Sequence, residues 1–390
     1  MYMTRALSSL KFNPSLLSET VPESEGPNSG YIVITDEETE AEDTVISCGC
    51  RSSNFIIKNL PLPQNQILVH RWDDFHSDIW FIPVLDQPLS SNCYYFIIAS
   101  GKYKGHACTS SREEDKGTSC FCYEDIKDVK PKDFNHMNIY QQLQILKYKN
   151  YDGFVANAVA QDGYPPYAFR LKGWQVHKKN SKFHHLTEAL GLNNSLRMSL
   201  PDLNFQIYNQ YSSPVVVGKW YCPFVFIKDG DLKDQFKKSL LYEMTLEQYW
   251  EVIYKRDNND YQTPTVRMAV SASVEKETIQ LFGVDAVKDD QITGSGTDGV
   301  LWIRNASSNL GLSLAIVEKM NWIQEMGGFI GGGEGNRVGV EKVEEFEGIG
   351  GWMSFGCFVL VERFVLRRMD GTIVLTCAYK HVHQIQCKWE

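Results

Sequence analysis

The chain has 390 residues, 43% of them hydrophobic and 22% charged, with a formal net charge of -9 at pH 7. That balance fits two ordinary domains or one large β-rich unit and excludes a disordered or fibrous chain. Lys and Arg are scattered without a run of four, so the clustered basic surface that phosphate contacts need is missing and no nucleic-acid partner is expected.

Residues 1–30, marked by Pro14, Pro22 and Pro27, read as a polar lead-in. They hold no apolar core of signal-peptide length, which predicts a cytoplasmic or nuclear-cytoplasmic protein, not a secreted one. Its ten cysteines are then reduced thiols. The Asn-x-Ser triplets at Asn193 and Asn305 carry no glycan on that reading.

Residues 31–204 read as an N-terminal β-rich subdomain with short helices. Strands are expected at 31–35, 67–72, 79–84 and 93–100, each short, β-branched or aromatic, and bounded by turn residues. "DQPLSSN" before the last of these suits a hairpin loop. The acidic run 36–43 and the charged stretch 109–119 read as solvated loops. In 136–149 the helical and strand periods conflict. Residues 184–197 are expected as a helix, with Thr187 as cap, Glu188 in the first turn and a stop at Gly191 or Asn193.

Residues 205–390 read as a C-terminal antiparallel β subdomain. "PVVVGKWYCPFVFIKD" is apolar on both faces, as a doubly covered strand would be, and Pro223 within it requires an edge or a bulge. Residues 266–276 alternate Met268, Val270, Ala272 and Val274 with polar neighbours, the pattern of a half-buried strand. Residues 299–305 and 311–324 continue the strand pattern, the second with some helical spacing. The most apolar run, 215–227, is shorter than the ~20 residues of a membrane span and holds Lys219, so no transmembrane segment is expected.

The glycine-rich "GGFIGGGEGNRVGV" (327–340) resembles a nucleotide loop only in composition. Val338 stands where the third glycine is needed and no helical pattern follows, so a flexible loop joining two strands is the better account. No Gly-x-Ser-x-Gly elbow or His-Glu-x-x-His helix occurs, and no catalytic residue is singled out. Cys48/Cys50 and Cys120/Cys122, with Cys108 and His106 nearby, offer soft ligands for zinc. Cys-x-Cys spacing is uncommon in structural zinc sites, so ordinary thiols are favoured there and no cofactor is predicted.

The C-terminal segment is the most readable. Asp370-Gly371 is a two-residue turn signal, because both positions tolerate positive φ. That turn would set Leu366 against Leu375, Phe364 against Cys377, Glu362 against Tyr379, Leu360 against His381, Phe358 against His383 and Trp352 against Trp389 on the inner face. The outer face would pair Arg367 with Val374, Val361 with Lys380 and Phe355 with Gln386. His381 and His383 then both point inward, about 7 Å apart between Cα atoms, a spacing that allows a shared metal. Their expected neighbours, Leu360 and Phe358, are not ligands, so two hydrogen-bonded core-edge histidines are the favoured reading. Cys387 stands where a prenylation box needs it, but Lys388, Trp389 and Glu390 break that box.

The blocks "EGPNSGYIVITDEE", "WFIPVLDQPLSSNCYYFI", "EALGLNNSLR", "SSPVVVGKWYCPFVF", "MTLEQYWEVIY", "VLVERFVLRRMDGTIVLTCAYKH" and "QCKWE", in this order, resemble a land-plant family described as a domain of unknown function, number twelve-sixty-two. The resemblance runs over nearly the whole chain and implies one family-wide unit. It brings no activity, cofactor or site residue to particular positions.

The expectation is therefore a β-rich protein of α+β type, with packed antiparallel sheets and long C-terminal hairpins. Its function is expected to be non-enzymatic binding or scaffolding, of a protein or a small-molecule ligand, in a stress or defence setting. The alternatives are an enzyme with a dispersed active site and a sugar- or lipid-binding β module.

Overall fold

The computed structural model describes residues 1–39, 56–118, 124–148, 153–179, 186–258, 267–289, 299–329, 335–348 and 351–390. Three long strands form its spine: Leu241–Asp257, Ser354–Arg368 and Ile373–Trp389. At ~3.3 Å per residue the longest of them reach about 55 Å. They lie side by side and antiparallel in a 9-stranded sheet. Glu277–Leu281 and Val284–Asp285 extend one edge, and Val215–Pro223, Tyr2–Ala6 and Gly30–Ile34 extend the other. Tyr2–Ala6 and Gly30–Ile34 run parallel; the other named neighbours are antiparallel. The β-rich α+β expectation holds.

A 7-stranded sheet, built from residues 56–178, packs against the spine. Its strand Phe75–Pro83 explains why "IWFIP" is apolar throughout. Trp80 and Ile82 enter the cluster shared with the spine, while Ile79 and Phe81 enter a second cluster with Phe96, Leu143 and Trp174. Period-2 alternation with both faces covered yields a continuous apolar run. Trp80 stacks on Phe224 at 5.7 Å between ring centroids, joining the two sheets. A 4-stranded sheet, the ribbon Arg267–Glu275 with Arg337–Glu345 and the short pair Lys116–Thr118 with Glu124–Ile126 complete the β structure of the described residues. No helix among the described residues is long and apolar enough to cross a membrane.

One helix expectation is corrected, and one segment that mixed strand and helical spacing is resolved. Residues 186–190 are not helical; Gly191–Leu192 is a strand fragment and the helix is Asn194–Ser199, with Asn193 as its N-cap rather than its stop. Tertiary partners outweigh the local signals. Ala189 exchanges hydrogen bonds with Thr4, and the Thr187 hydroxyl lies within 3.2 Å of the Tyr221 hydroxyl. In residues 311–324, expected to continue the strand pattern with some helical spacing, the strand Asn309–Ser313 ends and the helix Leu314–Met326 follows, with Ala315, Ile316, Met320 and Ile323 buried on one face. The glycine-rich stretch therefore follows a helix rather than a strand, and its residues 330–334 lie outside the described residues.

The C-terminal hairpin follows the expected register from Leu366/Leu375 through Leu360/His381. It departs from it at both ends. At the turn, Gly371 alone takes φ 87° and donates to Arg368 O, which places Met369 and Asp370 at the centre and pairs Arg367 with Ile373 rather than Val374. Beyond His381, residues 382–384 have no partner and pairing resumes at Val359/Ile385. Phe358 consequently faces Gln386 rather than His383, and Trp389 faces Phe355 rather than Trp352. The Trp352 and Trp389 rings still meet, at 5.2 Å.

Candidate functional site

Above the inner face of the spine lies an open cavity of about 780 Å³. Its floor comes from three neighbouring strands, through Gln248, Leu360 with Glu362, and His381 with Gln384. One wall is the short helix Asn194–Ser199 and the other is the C-terminal turn of Leu314–Met326.

A buried ion pair holds those walls. Lys319, on the long helix, donates to Glu25 Oε2 at 2.7 Å and to Ser29 Oγ at 2.6 Å. Trp220 Nε1 also reaches Glu25 Oε2, at 2.8 Å, and the Leu192 backbone N–H donates to Glu25 Oε1. Burial draws the Lys319 ammonium below its usual pKa, and Glu25 opposes that shift. One carboxylate thus ties together the turn 23–25, the wall at Leu192 and the long helix, because a buried charge must be paired to be tolerated.

At the floor, Arg197 grips Glu362 in two-armed fashion, Nε to Oε1 at 2.7 Å and Nη2 to Oε2 at 2.6 Å. Nη2 also donates to Ile323 O at 2.9 Å, at the end of the long helix, where a cation meets the negative pole of the helix. Gly327 is needed here: a Cβ on it would stand 2.2 Å from Arg197 Nη2. Gln248 Nε2 and Gln324 Nε2 donate to the same carboxylate, at 2.8 and 3.0 Å. Burial pushes the Glu362 carboxyl up, but His381 and Arg197 beside it bring it down to about 2.

This arrangement leaves atoms over. A carboxylate only accepts, so each glutamine must turn its NH₂ toward Glu362 and its carbonyl away. Gln248 Oε1 and Gln324 Oε1 then have no partner among the described residues. His381 is 1% exposed; its Nε2 stands 3.3 Å from Glu362 Oε2, off the direction of a ring N–H, and neither ring nitrogen is hydrogen-bonded. Gln248 Oε1, Gln324 Oε1 and His381 Nδ1 thus lack partners around one carboxylate, each worth ~1–3 kcal/mol in lost hydration, and His381 Nε2 has only its contact with Glu362. Above them Leu192, Leu200, Trp322 and the exposed Met198 and Met326 supply an apolar lining, with Glu23, Ser24 and Asn194 beside it. Leu200 adopts φ 54°, a left-handed backbone that a branched residue takes only under strain.

Of the histidines singled out in the sequence, His381 is in this site and His383 is not buried with it. The unpaired residues 382–384 leave His383 exposed, its ring 5.5 Å from that of His381, and bring Gln384 to the cavity lining. The expectation that both histidines point inward is thereby corrected. Among the described residues no three His, Cys, Asp or Glu side chains are grouped to hold a metal ion. Cys108 is buried, which pushes its thiol up to about 12, and His106 Nε2 lies 3.4 Å from Asp133 Oδ1. Cys48, Cys50, Cys120 and Cys122 lie outside the described residues.

Arg197, Gln248, Gln324 and Glu362 escaped the sequence reading. Glu362 did carry a signal, as a carboxylate placed on the inner face of an otherwise apolar strand and so in need of a partner. Arg197 carried none.

Residues 25–121 match the model of a family described as a protein of unknown function, DUF1262, so the resemblance seen in the sequence holds over that stretch. No curated protein matches the chain. Among solved structures, the crystal structure of Cry35Ab1 is similar at a TM-score of 0.45 and 11% identity, over 84% of this chain and 90% of that one. A likeness that loose carries no argument about function.

Proposed function

We propose that the protein is a non-enzymatic binder of a small amphipathic molecule with a neutral, hydroxyl-bearing head, held in the cavity between the two helices and the spine. The observation that carries this reading is the meeting, at the floor, of Gln248 Oε1 and the His381 ring, polar groups without a hydrogen-bond partner, beneath a lining dominated by Leu192, Leu200, Trp322, Met198 and Met326. Gln248 Oε1 is an amide carbonyl, which accepts hydrogen bonds, and a hydroxyl group supplies the matching donor. The cavity volume is in the range of ligand pockets, ~300–1,000 Å³.

Charge narrows the head group. Arg197 is committed to Glu362 and to Ile323 O, so the floor offers no spare cation to a carboxylate or phosphate head. Glu23 at the rim adds a negative charge. Catalysis is the weaker reading. A general acid works best with a pKa near the operating pH, whereas Glu362 is held ionised and its oxygens are occupied.

The test is a thermal-shift series with octyl glucoside below its micelle concentration, glucose alone and octanoate alone. A ligand of the folded state raises the melting point by mass action. The alkyl glucoside is expected to raise it, glucose less and octanoate not at all. Gln248→Leu should weaken the effect by about tenfold in concentration, the weight of one hydrogen bond. A shift equal for all three compounds, or unchanged in the variant, would count against the site.

A further inference from the structure

The far end of the hairpin, beyond the unpaired residues 382–384, holds a feature separate from the cavity. Cys357 and Cys387 stand directly opposite each other on adjacent antiparallel strands, with their sulfurs 3.3 Å apart. Both are free thiols. Opposed residues in such a ladder have Cα atoms about 4.5–5.5 Å apart, inside the range of about 4.4–6.8 Å that a disulfide spans. Bond formation therefore needs the sulfurs to close to about 2 Å, a side-chain rotation rather than a shift of the strands.

We infer that Cys357 and Cys387 form an oxidation site, a thiol pair that a small disulfide such as oxidised glutathione converts into a cross-strand disulfide. Cys357 is fully buried among Phe355, Trp352 and Met268, while Cys387 is reached by solvent. Cys387 is accordingly the first to react. Cys387 first gives up its proton to solvent; its thiolate then attacks one sulfur of the small disulfide and expels the other half as a thiolate. Cys357, as thiolate, then attacks Cys387 Sγ in that mixed disulfide and expels the second half. The protein loses two electrons and two protons, and the small disulfide gains them as two thiols.

The surroundings favour the second step. The Lys342 ammonium beside the pair favours the Cys357 thiolate against the effect of burial, and it remains once Cys387 Sγ is in the mixed disulfide; in the reduced pair Cys387 S–H donates to Cys357 Sγ, which keeps the proton on Cys387 and raises its pKa. Lys342 is fixed over the pair by its bonds to Ile385 O at 3.3 Å and Glu344 Oε1 at 2.8 Å. The finished link fastens the two long strands beyond the bulge, where the register has already shifted once.

The test uses the full chain, reduced and then incubated with oxidised glutathione, alkylated and digested. Because the chain holds other cysteines, peptide mapping is the readout. The expected result is one linked peptide containing Cys357 and Cys387, lighter by two hydrogens than its reduced parts, lost on treatment with dithiothreitol. Its formation should raise the melting point by several degrees, and Cys387→Ser should abolish both the link and the shift. If the variant does not fold, the wild-type map decides alone. Recovery of both cysteines in alkylated form, or a lasting glutathione adduct on Cys387 beside a free Cys357, would overturn the inference.

Discussion

Arg197 and Glu362 lie 165 residues apart in sequence and meet through two bonds, of 2.7 and 2.6 Å, in the interior of the protein. Neither residue type is normally found fully buried unless paired. The pair joins a helix of six residues to the middle of the C-terminal hairpin, and the cavity exists because these two elements are held apart and in register.

Breaking that pair from one side should be costly. Arg197→Met leaves Glu362 charged and buried, and about 3–5 kcal/mol of stability should be lost in a denaturant melt. The double change Arg197→Met with Glu362→Leu should recover much of that loss, since it removes the stranded charge. Additive losses in the double variant would show that the two residues do not act as a pair.

The same carboxyl predicts an acid limit. Its folded pKa, about 2, lies below the ordinary 4.5, so the unfolded chain binds its proton first as pH falls. The stabilisation is complete above about pH 5 and is lost on going down through 4.5 toward 2, to a total of about 3 kcal/mol. Glu362→Gln should be less stable at pH 7 and show a flatter profile between pH 5 and 2.

His70 predicts a second, higher window. It is fully buried against Phe75, Phe169 and Trp174, its ring nitrogens lack hydrogen-bond partners, and burial lowers its pKa from 6.5 to about 4. Here too the unfolded state takes up the proton first. Wild-type stability should therefore fall by about 3 kcal/mol between pH 6.5 and 4, and His70→Leu should remove that slope. An unchanged slope in the variant would assign the acid sensitivity to other groups.

Gly371 isolates a backbone effect. It sits at φ 87° with open space where a Cβ would go. Gly371→Ala should thus cost about 1 kcal/mol through conformation alone, read as a lower denaturation midpoint with unchanged slope. A loss several times larger would point to a rearranged hairpin.

How much of this was legible depended on how local the cause was. The strands at 31–35, 67–72 and 93–100 follow from short-range alternation and turn residues, and the structure places strands there. The hairpin register was readable from Asp370-Gly371 as far as Leu360/His381, because each pair follows from its neighbour. It failed at 382–384, where three consecutive residues leave the ladder without a proline or glycine to announce it. The expected helix at 184–197 failed because Thr4, far away in sequence, claims the backbone of Ala189. The cavity was not legible at all. Its floor and walls come from residues near 23, 194, 248, 322, 360 and 381, and no spacing rule joins them.

The most direct test of the central claim is a crystal structure of the protein soaked with octyl glucoside. The account predicts one ordered molecule in the cavity, its sugar hydroxyls hydrogen-bonded to Gln248 Oε1 and His381, and its chain against Trp322, Met198 and Met326. A cavity without the ligand at saturating concentration, or a sugar turned outward with the floor atoms still unpartnered, would contradict it.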